Sequence, residues 1–195
     1  MNATRMVQFG VTACLLAAVA AQGVQRISNG TGGGMFNDPA TWAGGVVPSQ
    51  SADTWLINAG DTVTIPNDYT WVRTSADNTN QGTLVIQPLG LLSMRRMHGN
   101  VAGWSIVSHG TVTVTRLLPD AAALGKLMVF GGSFDIVDVG GAGSAGSAFL
   151  IDGGHLRALG TFVGDVVLSN GVLDKKFSGL GFNSAFIWMG GTLAN

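Results

Sequence analysis

From Gly60 onward, apolar and polar positions recur at a spacing near twenty residues. When Gly60, Gly90, Gly110, Gly132, Gly154, Gly171 and Gly191 are aligned, the first gap is 30 residues and the later gaps run from 17 to 22. Four residues before each glycine stand Leu56, Ile86, Ile106, Met128, Leu150, Val167 and Ile187; two after each stand Val63, Leu92, Val112, Phe134, Leu156, Leu173 and Leu193. All are apolar. The alternation after the glycine, as in Gly110-Thr111-Val112-Thr113-Val114, has period two and predicts a strand with one buried face. Before the glycine the apolar run is continuous, as in Leu127-Met128-Val129-Phe130. It fits a strand covered on both sides or an inward pair flanked by outward hydrophobes, and the pattern leaves the inward parity open. Each unit reads as strand, small-residue turn, strand, turn, with Gly131-Gly132, Gly153-Gly154 and Gly190-Gly191 at the bends.

A unit of this length is one coil of a parallel β-helix. Ordering twenty residues costs roughly 20 to 40 kcal/mol of backbone entropy, whereas each inward side chain returns only about 1.5 to 3 kcal/mol, so a coil is stable only in a stack. An antiparallel sandwich also has short alternating strands, but nothing in it keeps one position apolar relative to one glycine in every copy. The expected fold is therefore all-β: a single-stranded, right-handed parallel β-helix of about seven coils behind an N-terminal cap segment.

Composition narrows the class. Of 195 residues, 46% are hydrophobic and 11% charged, and 30 are glycine, a balance of short strands and tight turns rather than disorder. With a formal net charge of −1 and no run of Lys or Arg, nucleic acid is excluded as a partner class. No apolar stretch reaches the roughly 20 residues that cross a bilayer, so no transmembrane segment is expected in the mature chain. Arg5, the mostly apolar stretch Val7 to Ala21 and the small residues Ala18-Val19-Ala20 read as an export signal cleaved after Ala20 or Ala21. The expected organisation is a signal peptide over 1–21, a linker and cap segment over 22–50, and the β-helix over 51–195. Cys14, the sole cysteine, lies in that signal, so the mature protein would hold no disulfide. The expected location is secreted or cell-surface.

Ahead of the repeat runs Asp38-Pro39-Ala40-Thr41-Trp42-Ala43-Gly44-Gly45-Val46-Val47-Pro48, followed by Ala59-Gly60-Asp61-Thr62-Val63-Thr64-Ile65. This resembles the opening of secreted bacterial parallel β-helix and adhesin-type proteins, Asp-Pro-x-Thr-Trp-x-Gly-Gly-x-x-Pro, and more loosely the eight-glycine module of animal surface proteins. The resemblance covers residues 33–66 in detail. It implies that the segment caps the open end of the helix, with Trp42 as a cap residue rather than a sugar-stacking platform, and so hides strand edges that would otherwise pair with other chains. Beyond Leu193 no comparable cap is seen, so either the sequence is a fragment of a longer protein, or end-to-end self-association through an uncapped C-terminal coil is expected.

Candidate chemistry is sparse. His98, His109 and His155 are not at metal-ligand spacing with carboxylates, and the Gly140 to Gly146 stretch leads to a strand rather than a helix, so neither a metal, a phosphate loop nor any other cofactor is expected. The residues best suited to an acidic ligand are Arg95, Arg96, Arg116, His155 and Arg157, with the solvated face of a strand as the plainer reading. Asp135, Arg157 and Asp174 each stand three residues after a repeat glycine and are expected in one outward column. Two rungs separate the carboxylates by roughly 9 to 10 Å, close to the spacing of an inverting glycosidase pair. A cation between them makes a salt-bridge ladder instead, because a general acid needs an apolar pocket. The sequence therefore points to a secreted binding or structural module, adhesive or carbohydrate-binding, with an extracellular polysaccharide or a surface protein as partner; a fragment of a polysaccharide lyase or hydrolase is the alternative.

Overall fold

β-Branched and aromatic residues at alternate positions suit a pleated, half-buried surface. In the computed structural model they form short strands that pair in parallel from one coil to the next, a parallel β-solenoid of the expected class. The structure describes residues 23–100, 102–119, 125–139, 148–162, 164–175, 181–182 and 185–194. The export signal over 1–21 with Cys14, and the Gly140 to Gly146 stretch, lie outside the described residues.

Each coil has three sides, not the two implied by strand-turn-strand-turn. The first side stacks Gln25–Ile27, Thr54–Ile57 and residues 77–80, 96–99 and 116–119. The second stacks Gly33–Met35, Thr62–Ile65, Thr83–Ile86, Ser105–Ser108, Lys126–Val129 and residues 148–151 and 165–168, ending at Phe186–Trp188. The third stacks residues 70–73, 91–94, 111–114, 133–136, 155–158 and 172–174, ending at Thr192–Ala194. The extra side arises because the strand after each turn glycine does not stop at its fourth residue. In Leu91–Gly99, Leu92 and Met94 point inward, Arg95 and Arg96 both point outward, and Met97 is inward again. One residue of the period-two alternation is spent on the corner, so the third side of one coil runs directly into the first side of the next.

The solenoid makes about five turns, slightly fewer than the seven expected, and the repeat glycines do not all mark the same corner. Gly90, Gly110, Gly132, Gly154 and Gly171 sit at the corner before the third side, but Gly60 sits one corner earlier: Thr62 pairs with Thr83 and Thr70 with Leu91, so the residue in the place of Gly90 is Tyr69. The first gap of 30 residues marks that slip. Gly191 opens a rung that pairs on one side only. The apolar position four residues before the glycine also divides. Ile86 pairs with Ser108 and Ser108 with Val129, so the turn from this strand to the glycine changes length from coil to coil. Ile86 and Ile106 are therefore buried, whereas Met128, Leu150 and Val167 stand half-buried on the outer surface. The position two after the glycine is uniform: Leu92, Val112, Phe134, Leu156 and Leu173 form one buried column.

The interior is packed along its length. Trp55 and Trp71 meet edge-on at 6.2 Å between ring centroids, and Phe149 lies 4.6 Å from Phe162. Trp104 lies against Gly99 and Gly125. A Cβ on Gly99 would approach its ring to 2.4 Å and one on Gly125 to 1.9 Å, so these two glycines make room for the indole.

At the N-terminal end residues 38–43 fold back over the first coil. Asp38 accepts from Ala40 N–H at 2.9 Å and opens a single 3₁₀ turn, Pro39–Thr41, with proline at a position that needs no amide donor. The turn drives Trp42 over the open coil, where its Nε1–H donates to Phe36 O at 2.8 Å and its ring lies 5.0 Å from Phe36. Trp42 is buried.

Candidate functional site

The five basic residues do not form one site; the prism divides them between two sides. Arg95 and Arg96 leave the corner between the third and first sides and converge on Asp77 of the preceding coil. Arg95 Nε and Nη2 donate to Asp77 Oδ1 and Oδ2 at 2.8 and 2.6 Å, and Arg96 Nη1 reaches Oδ2 at 3.5 Å. The Arg95 fork holds the Asp77 carboxyl below the ordinary aspartate range; burial opposes this, and the charges of Arg95, Arg96 and His98 add to the lowering. Asp77 in turn raises Arg95. Register then places Arg96 opposite Arg116 and Arg116 opposite Asp138. Asp77, Arg96 and Arg116 thus hold one register position on three successive rungs, with the two arginines on adjacent ones.

His155 and Arg157 lie on the third side. Asp135 pairs with Arg157 and Arg157 with Asp174, so the expected column is present. Arg157 Nε lies 3.8 Å from Asp135 Oδ1 and 3.4 Å from Asp174 Oδ2, and His155 Nε2 lies 3.6 Å from the same Asp174 oxygen. All four side chains are a quarter to two-fifths exposed. At that side-chain exposure each contact is worth at most about 1 kcal/mol, although Asp135 Oδ1 and His155 Nε2 are themselves covered and take no hydrogen bond among the described residues.

Compared with family models, curated proteins and solved structures, the chain matches none of them. Among the described residues no three His, Cys, Asp or Glu side chains converge as a metal site. A surface depression of about 570 Å³ lies where the first side turns into the second, between Gly103, Trp104, Ser105, Gly125, Lys126 and Met128. No sequence motif marks it, because its lining comes from two rungs, at 102–105 and 125–128. It offers one cation, Lys126, beside a half-buried Met128.

Sequence reasoning also passed over two aspartates that hold the cap. Asp53 accepts from Val24 N–H, Ser49 N–H and Arg26 Nε, each at 3.0 Å. Asp61 accepts from Gly30 N–H at 2.9 Å, Gly32 N–H at 2.8 Å and the Ser28 hydroxyl. Burial raises both carboxyls, but the donors outweigh it and hold each below the ordinary aspartate value: Ser49, Val24 and Arg26 for Asp53, and Ser28, Gly32 and Gly30 for Asp61. The available signal was Asp61 beside a turn glycine, ahead of Thr62-Val63-Thr64-Ile65.

Proposed function

We propose that this chain is a secreted or cell-surface module whose β-solenoid binds an acidic polysaccharide along its outer faces, in the manner of the bacterial β-helix and adhesin-type proteins that its N-terminal segment resembles. The observation that carries the reading is the column on the first side, where Arg96 and Arg116 stand in register one rung apart beside Arg95. A linear polyanion repeats its charge along one axis, as the rungs repeat theirs at about 4.8 Å. Guanidinium groups suit its carboxylates, and Arg95 and Arg96 already grip a carboxylate, that of Asp77. The packed interior and the flat, open sides also favour a rigid scaffold over a walled reaction cleft.

Electrophoresis of the full chain through gels containing polygalacturonate or a neutral glucan tests this. The protein should be retarded by the acidic polymer only, less so as salt rises, and Arg96→Ala with Arg116→Ala should weaken retention by about fivefold or more. Equal behaviour in both gels would refute the reading. Shortening of the polymer that is lost in Asp135→Asn and Asp174→Asn would replace it with the hydrolytic alternative.

A further inference from the structure

The arginine pair of the first side already holds a carboxylate. Leu91–Gly99 turns its corner at Arg95 and Arg96, so both face outward from one rung, and Asp77 faces outward from the rung before them. Arg95 closes on both oxygens of Asp77, and Arg96 reaches one of them.

The coil itself does not depend on this contact. Backbone pairing of Asp77, Asn78 and Thr79 with Arg96, Met97 and His98 sets the register, and the buried Asn78 accepts from Trp55 N–H at 3.0 Å. The Arg95 and Asp77 side chains are 46% and 32% exposed, and an ion pair so open to water adds little to stability. Its consequence lies at the surface, where a carboxylate from within the chain fills the place that a ligand's carboxylate would take.

We propose that Asp77 is a tethered competitor that restricts the Arg95–Arg96 seat to polymers presenting several carboxylates at once. The inference rests on the acidic-polysaccharide reading of this column and adds the selection among acidic ligands. A single carboxylate that displaces Asp77 gives Arg95 the same two-pronged partner it had before, so the exchange gains no contact. It must also overcome a local concentration on the order of millimolar, because Asp77 is attached one rung away. A charge-dense chain differs. The carboxylate that replaces Asp77 at Arg95 brings its neighbours to Arg96 and, one rung on, to Arg116, and each of these contacts forms without a new encounter. Densely charged polyuronate is admitted, whereas a free uronate or a sparsely charged chain is turned away.

Electrophoresis of the full chain through gels of de-esterified polygalacturonate and of largely methyl-esterified polygalacturonate tests this. The wild type is expected to be retarded by the de-esterified polymer alone. Asp77→Asn keeps the shape and loses the charge; it should bind that polymer about fivefold more tightly or better and be retarded by the esterified one as well. Asp77→Ser, which also removes the charge, should behave in the same way, and thermal melts matching the wild type show that the variants fold. Asp68→Asn removes the same charge from an exposed turn away from the column and controls for net charge. Adding Arg95→Ala to Asp77→Asn should abolish the gain, because it runs through that guanidinium. Equal or weaker retention of both Asp77 variants, an equal gain in Asp68→Asn, or a gain that survives Arg95→Ala would overturn the proposal and leave the polysaccharide reading standing. Retention of the Asp77 variants without retention of the wild type would uphold the competitor and overturn that reading for the native chain. Retention of none of them would overturn both.

Discussion

Val112 and Thr113 are neighbours in sequence and opposites in environment. Val112 lies in the buried column between Leu92 and Phe134, while Thr113 lies on the outer surface between Ser93 and Asp135. A charge at the first position is stripped of water with no partner, whereas at the second it keeps its hydration. Val112→Asp should cost several kcal/mol, on the order of 3 to 5, and Thr113→Asp below about 1 kcal/mol, the latter raised slightly by Asp135 on the next rung. Thermal denaturation of the two variants checks this, and equal shifts would show the register to be wrong. Residue-level reading of the third side thus succeeds because burial alternates there without interruption. The same reading fails at Arg95-Arg96 and Thr115-Arg116, where two successive residues face outward and the corner shifts the phase. No side-chain type announces that corner; it follows from closing the coil.

At the scale of the element, the cap depends on two carboxylates that sequence reasoning left unassigned. A group held below its ordinary value stabilises the fold fully above the unfolded value, and that contribution is lost as pH falls through the folded one. Asp53 and Asp61 are both lowered, so the cap should hold from neutral pH down to about 4, the unfolded aspartate range, and loosen below it. Protonation would remove an acceptor from three donors at each site, including the backbone of Gly30 and Gly32. Tryptophan fluorescence, which reports on Trp42, Trp55 and Trp71 in this end, should show the transition on acidification. Asp61→Asn should lower the neutral-pH stability by about 1 to 3 kcal/mol, since it replaces a charged acceptor with a weaker one, and should flatten the acid dependence. A variant with the wild-type pH profile would remove Asp61 from this role.

For the whole molecule, the chain is a stack in which every layer is stabilised by the ones above and below. Export of such a stack is the proposal that its N-terminal residues make. Intact-mass measurement on protein recovered from an exporting host is expected to give a chain beginning at Ala21 or Gln22; retention of Met1, or a lipid on Cys14, would exclude the cleaved-signal reading. The charge columns belong to this scale too, because Asp77, Arg96, Arg116 and Asp138 are separated by 19 to 22 residues in sequence and become neighbours in register only when coils are stacked.

The apolar period near twenty residues determined by itself that the chain is a parallel solenoid, because only stacking can bury a face that recurs once per coil. The Asp38 to Pro48 segment likewise determined where a cap forms: proline opens a turn, and a large aromatic must find cover. The Asp135, Arg157 and Asp174 column could be read in advance, since these residues lie on one uninterrupted strand position. Tertiary structure decided the rest. It set the number of sides, because corner residues break a period that local pattern cannot follow. It set which corner each glycine marks, because Gly60 and Gly90 stand before different sides and only pairing distinguishes them. It also decided that Arg95, Arg96 and Arg116 stand apart from His155 and Arg157, because which side of the prism a residue faces depends on how many corners the chain has turned before reaching it.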